Sequence, residues 1–180
     1  MRIITDTGTD ILEAEARKLG VELVAIHSSF TDASFGENTE AEFQRFYEKL
    51  RQSDTLPVSS QPSPANFLEL FEDAKEKQED VVVITISSKL SGTYNGAVLA
   101  KDMAEYDNIY VVDSLQASLS ERLLVEYAVK LRDAGMEAKE LARKLEQDRE
   151  RVMLTGVPST LLYLKMGGRI SPVVAAVGGV

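Results

Sequence analysis

The sequence predicts an α/β domain, a mostly parallel sheet flanked by helices. Three observations carry this. Five short runs, residues 2–5, 21–26, 81–86, 109–112 and 152–155, are continuously apolar rather than alternating, as strands buried on both faces are. The segments between them place apolar side chains at helical spacing. Strand and helix alternate, which implies right-handed crossovers between parallel neighbours.

The elements follow in order. Residues 2–5 form the first strand and Asp6-Thr7-Gly8 ends it. Asp6 and Thr9 suit the capping of a following helix. Asp6 and Thr7 also stand at the carboxyl end of a strand, the edge where open α/β sheets bind ligands. Asp-Thr-Gly is the short signature of aspartic proteases, but those need two such carboxylates sharing a proton, and three residues are too few to be specific. Residues 21–26 form a second strand, with His27 in it or just after it. Residues 28–38 are polar and turn-rich and read as a surface loop. Phe43, Phe46, Tyr47 and Leu50 make a helical stripe.

Residues 52–64 contain Pro57, Pro62 and Pro64, which disfavour a regular helix or central strand. Ser63 and Pro64 suit the N-cap and first position of the helix carrying Phe67, Leu70, Phe71 and Ala74. Ser59, Ser60 and Gln61 are left without a structural role. After the strand at 81–86, the segment from Ser87 to Asn95 is a small-residue turn opening a helix. Backbone N–H groups and the helix dipole favour an anion there, and Ser91 adds a hydroxyl. It is neither a G-x-S-x-G elbow nor a Walker A loop. Asp113-Ser114 ends the strand at 109–112, and Ser118 or Ser120 suits the cap of the helix carrying Leu124, Tyr127, Ala128 and Leu131. After the run at 152–155, Gly167-Gly168-Arg169-Ile170-Ser171 is a helix stop carrying a guanidinium, either a solvated cap or a fork for a carboxylate.

Composition narrows the function. The net charge of −9, with a pI near 4.7, is the wrong sign for nucleic acid and for an anionic membrane surface. With no cysteine and one histidine, thiolate and multi-histidine metal sites are excluded, and no metal or cofactor is expected. The first ten residues lack a signal-peptide apolar core, and no apolar run is long enough to span a bilayer. A cytoplasmic location without membrane insertion is the default expectation. A small α/β hydrolase using Asp6 or Ser91 is one alternative, weakened by the lack of a histidine-supported triad. A ligand-free interaction module is another.

Taken together, these segments resemble the DegV family. The matching stretches are Thr5-Asp6-Thr7, Ser59-Ser60-Gln61-Pro62-Ser63, the nine residues from Ser87 to Asn95, Asp113-Ser114, and Tyr163 through Ser171, in the family's order and spacing. The resemblance implies the first lobe of a two-lobed DegV-type fold over residues 1–160, with 161–180 beginning a second lobe whose remainder is absent. It implies a non-enzymatic, FakB-like carrier that holds a long-chain fatty acid and presents it to a separate fatty acid kinase. Carried over residue by residue, Ser59 (where Thr is usual) and Ser91 would bind the carboxylate, with Arg169 near the head group. Asp6, Thr7, Ser60, Gln61, Gly92, Ser114 and Ser118 would line the cleft. The chain departs from the pattern at Leu119-Ser120-Glu121-Arg122, where a glycine-containing segment is usual. It also stops just after Gly-Gly-Arg-Ile-Ser, where family members continue into the lobe that closes the acyl tunnel and supplies a histidine near the carboxylate. An apolar terminus over 172–180, with Leu161, Leu162 and Leu164, would then lack cover. It is expected to drive self-association or to lie over the cleft as a lid.

Overall fold

The computed structural model describes residues 1–157, 160–171, 173 and 174. Strands β1 (Arg2–Asp6) and β2 (Val21–Val24) flank helix α1 (Glu13–Leu19), which ends on Gly20 in the left-handed region at φ 62°. Short strands β3 (His27–Ser29) and β4 (Ser34–Phe35) precede α2 (Glu40–Gln52), and β5 (Val58–Ser60) leads into α3 (Pro64–Glu76). Then come β6 (Val81–Thr85), α4 (Thr93–Ala104), β7 (Ile109–Asp113), α5 (Ser118–Asp133), α6 (Ala138–Asp148) and α7 (Leu162–Met166).

The main sheet has the order β2-β1-β6-β7 and is parallel throughout. The chain goes from β1 outward to β2 and later returns to the other side of β1 with β6. The strand order therefore reverses at the β1–β6 pair, the switch point beside which such sheets open a crevice. Alternation along the strands sends Ile3, Val82, Ile84 and Val112 to one face, against Val125, Ala128, Leu141 and Leu145. Ile4, Val81, Val83 and Ile109 go to the other face, against Phe67, Phe71, Ala97 and Ala100. Both faces are covered, which is why these strands read as continuous apolar runs.

Beyond one-residue shifts at the ends of β1, β6 and β7, four assignments differ from the sequence reading. The second strand stops at Val24 rather than at residue 26. Residues 28–38 are not simply a loop: β3 and β4 lie within and beside them, and β5 rises from the proline segment. The three form a small antiparallel sheet in the order β4-β3-β5. Such two- and three-residue strands have no apolar pattern of their own, and pairing alone defines them. Residues 152–155 form no strand; they lack regular structure, and Met153 and Leu154 are exposed. The reason is directional. Helices α5 and α6 follow β7 in succession and pack on each other, so they return the chain to the carboxyl end of β7. Arg149 Nη1 donates to the Asp113 carbonyl there at 2.6 Å, and Gln116 Nε2 donates to the Val152 carbonyl at 2.9 Å. A parallel neighbour of β7 would have to start at the opposite end.

Near the end of the chain Tyr163, Leu164, Met166, Val173 and Val174 are exposed, whereas Leu161, which the sequence reading counted as uncovered, and Ile170 are half-buried. Pro172, residues 175–180 and the Leu162 side chain, which the sequence reading included in that patch, lie outside the described residues. Among the described residues no helix is long and apolar enough to cross a membrane.

Two substitutions separate the core from its rim. Phe71 is wholly buried, and Phe71→Ala should lower stability by about 3–5 kcal/mol, read as a fall in the urea midpoint. Arg2 bonds Glu79 and Asp73 at 2.6 and 2.5 Å, with Glu22 at 3.6 Å. All three acids are partly exposed, so they are rehydrated when the cation is removed. Arg2→Met should cost no more than about 1 kcal/mol.

Candidate functional site

The site is built where β1, β6 and β7 end. The Asp6 carboxylate is wholly buried. Its Oδ1 accepts from Gly8 N and its Oδ2 from Ile86 N, both at 2.8 Å, so it ties the end of β1 to the residue leaving β6. It also caps the 3-10 turn Thr7–Thr9. Burial pushes its pKa up to about 6, against the pull of the two amide hydrogen bonds. The Thr9 hydroxyl donates to the Asp6 carbonyl at 3.0 Å, which closes the turn rather than capping α1. Thr7, half-buried, accepts from Ile26 N at 2.9 Å through Oγ1. Expected to line a cleft, Asp6 instead lies sealed beneath it, because both its oxygens are engaged by backbone amides.

Residues 86–92 pass from β6 to α4 as a compact turn. Ser91 N donates to the Ser87 carbonyl at 3.1 Å, and Ser88 N to Asp113 Oδ1 at 3.0 Å. Ser91 is half-buried; its Oγ lies 2.9 Å from Thr93 Oγ1 and accepts from Thr93 N at 3.4 Å. Gly92 is the N-cap residue of α4. The proline segment meets this turn directly. A Cβ at Gly92 would stand 2.1 Å from Gln61 Oε1, and one at Gly96 would stand 3.6 Å from the Pro62 carbonyl. The absent side chain at 92 leaves the place that Gln61 takes, while the backbone at 96 comes within ordinary contact of Pro62. Ser59 and Ser60, both exposed, sit on β5 in register with Ser28 and His27. His27 is exposed, its ring packed on Gly36.

The remaining sequence candidates fall in three places. Ser114 is wholly buried, and its hydroxyl bonds within its own turn, donating to the Gln116 carbonyl at 3.3 Å and accepting from Gln116 N at 3.0 Å. It offers nothing to a cleft, because the chain turns inward over it. The Ser118 hydroxyl donates to the Asp10 carboxylate. Ser120, with Oγ donating to the Ala117 carbonyl at 2.8 Å, closes the first turn of α5. Arg169 is exposed and donates to the Gly167 carbonyl at 2.6 Å, beside Gly168 at φ 73°. The structure thus brings Gln61, Ser91 and Gly92 together and leaves Arg169 against its own turn.

Two buried groups escaped the sequence reading. Thr85 Oγ1 and both carboxylate oxygens of Glu121 are inaccessible and have no hydrogen-bond partner among the described residues. The Thr5 hydroxyl is near Glu121 but donates to the Ile84 carbonyl at 2.8 Å. Burial first, then the charges of Asp6 and Asp10, push the Glu121 carboxyl well above the usual carboxylate range. The sequence misleads here. Ser118-x-x-Glu121 has the spacing of a capping box, in which the acid reaches back to the N-cap amide at the surface; instead the side chain turns inward. Arg122, its neighbour in the segment lacking the usual glycines, turns outward to Glu15 and Glu126, both within 3.1 Å.

A hollow of about 630 Å³ lies elsewhere, lined by Lys101, Tyr110, Val111 and the charged side of α6. None of the loop serines borders it, and its charged walls do not suit an acyl chain. A smaller one, about 140 Å³, borders Ser28, Phe35, Phe43 and Phe46 beside the small sheet. Among the described residues no three His, Cys, Asp or Glu side chains converge on a metal-sized space.

The chain is similar to known proteins in sequence and in fold. A family model described as uncharacterised protein, DegV family, matches residues 1–180. A fatty acid-binding protein of Thermotoga maritima is 32% identical over 183 residues, covering 99% of this chain and 63% of the relative. The structure of a DegV family protein from Thermus thermophilus, described for its fatty acid binding, superposes with a TM-score of 0.82 at 31% identity over 99% of this chain and 64% of that one. The Streptococcus pneumoniae Fatty Acid Kinase B3 protein, loaded with linoleic acid, superposes with a TM-score of 0.80 at 27% identity over 98% of this chain and 63% of that one. The chain spans somewhat under two thirds of the length of the relatives it matches. It belongs to the DegV family.

Proposed function

We propose that this chain is the carboxylate-holding part of a fatty-acid carrier without catalytic chemistry of its own. One observation carries the reading. Two hydroxyl-bearing loops, 59–63 and 87–93, meet through Gln61 on Gly92 at the carboxyl edge of a parallel sheet, at the start of a helix. That supplies neutral donors and helix N–H groups for an anion. Ser59 and Ser91 are the hydroxyls for the carboxylate, and Arg169 is the cation brought near it when the segment carrying α7 folds over the cleft. Thr7, Ser60, Gln61, Gly92 and Ser118 form the surrounding wall. The ligands named for the relatives from Thermotoga, Thermus and Streptococcus support a long-chain fatty acid. The Streptococcus relative's name supports a separate fatty acid kinase as partner. Residues 1–160 act as one lobe, with 161–180 leading into another. The exposed side chains of Tyr163, Leu164, Met166, Val173 and Val174 favour self-association of the chain through that end.

A hydrolase using Asp6 or Ser91 is less well supported. Asp6 is inaccessible, and the Ser91 hydroxyl is partnered by Thr93 rather than by a base.

Ser91→Ala and Ser59→Ala should each weaken palmitate binding by about 1–3 kcal/mol in calorimetry, and mass spectrometry of organic extracts of the purified chain should find a fatty acid. Unchanged affinity in both variants would sink the assignment of these hydroxyls. Ester or phosphate turnover abolished by Ser91→Ala would replace the carrier with an enzyme. Removing residues 172–180 should shift the sedimentation profile toward monomer, and an unchanged profile would rule out association through that end.

A further inference from the structure

We infer that Asp6 and Glu121 form a buried acid pair bearing a single negative charge. The charge is on Asp6 and the proton on Glu121, and the neutral Glu121 is a positioning residue for the loop that begins at Ile86. The two carboxyls converge on one small space. A Cβ built on Gly8 would stand 2.7 Å from Asp6 Oδ1 and 3.3 Å from Glu121 Oε2. Both side chains are wholly inaccessible, so neither can touch a ligand, and two charges in so dry a space repel strongly.

Hydrogen bonding decides which acid keeps the proton. The Asp6 oxygens accept from two backbone amides, at Gly8 and Ile86, both at 2.8 Å. Those of Glu121 accept from nothing among the described residues. Donors stabilise an ionised carboxylate, and a buried one without donors stays protonated. Thr5 Oγ1 lies beside Glu121 and, with its own hydrogen given to the Ile84 carbonyl, is free to accept one from a protonated Glu121.

The surroundings reinforce the assignment. Asp10 beyond the 3-10 turn and Asp113 at the end of β7 both oppose a second negative charge. On α5, Arg122 is committed outward to Glu15 and Glu126. Arg149, beyond α6, donates to the Asp113 carbonyl. Ionising Glu121 would place a second charge beside Gly8 and drive the Asp6 carboxylate off Ile86 N, loosening the turn that carries Ser87 and Ser91.

The linkage sign follows from the folded state holding these protons more tightly than the unfolded one. Stability falls as pH rises from a group's ordinary value to its raised one. For Asp6 that window closes near pH 6, its raised value. Tyr110 and Lys144, whose pKa values are also raised, lower stability only in the tyrosine and lysine range, so a fall between pH 6 and that range belongs to Glu121.

The test uses the 180-residue chain and Glu121→Gln, which keeps the shape without the proton. Above pH 6 the folding equilibrium constant of the unaltered chain should fall about tenfold per pH unit until Glu121 ionises. In Glu121→Gln it should be flat. Protection of the Ile86 amide from hydrogen exchange should follow the same two profiles. Carboxyl-carbon NMR of the unaltered chain, which needs no variant, should find Glu121 protonated at pH 7. A Glu121 already ionised at pH 6, or parallel pH profiles for the two proteins, would overturn the inference. So would stabilisation by potassium or magnesium chloride that is absent from Glu121→Gln, since a bound cation would then occupy the proton's place. Only the identity of what the loop holds rests on the fatty-acid reading. If palmitate fails to bind at every pH, that reading falls while the Glu121 measurements still decide this one.

Discussion

The hydrogen bonds from Gly8 N and Ile86 N to the Asp6 carboxylate are the constraint on which the binding edge depends. A parallel sheet leaves the carboxyl ends of its strands without further ladder bonds. At β1 and β6, where the strand order reverses, those ends lie side by side yet lead into different loops. One carboxylate accepting from both chains fixes the spacing of the two exits and closes the 3-10 turn after β1. Its charge is stabilised by the two amide dipoles rather than by a cation.

Two further features build outward from that clasp. The exit of β6 becomes a tight turn because Leu90 and Ser91 donate back to the Ser87 carbonyl, so α4 starts with its N-terminus at the sheet edge. The missing side chain at 92 then admits Gln61 against the start of α4, with Pro62 close to Gly96. The proline segment can rest there because β5 is held at its other end by β3. Two loops far apart in sequence thus meet through backbone pairing at β5 and the missing side chain at 92.

The acidic character of the chain is not spread evenly in its consequences. Most carboxylates are partly exposed and form ordinary surface pairs, such as those of Glu15, Asp73 and Asp148 with Arg122, Arg2 and Lys144. These add little to stability. Asp6, Glu42 and Glu121 are the buried ones, and burial raises the pKa values of Asp6 and Glu121.

The sequence by itself determined the α/β class, the four central strands within two residues at each end, and the helices carrying the Phe43, Phe67 and Leu124 stripes. Burial on two faces, and helical spacing, write themselves into composition. It also placed the turn that opens the helix at Thr93 and the Ser63-Pro64 helix start, since caps and glycines are local signals. The family resemblance rested on those same stretches. Only the tertiary structure decided the rest. The β3–β5 sheet exists through pairing between short polar segments, which leaves no apolar pattern. Residues 152–155 have strand composition, but two successive helices deliver them to the wrong end of β7. Asp6 and Ser114 look like cleft residues in sequence and are sealed by backbone amides and turns. Glu121 looks like a surface cap and is buried because α5 turns that side of its first turn onto the end of β1, and no local rule records the direction in which a helix's first turn will face.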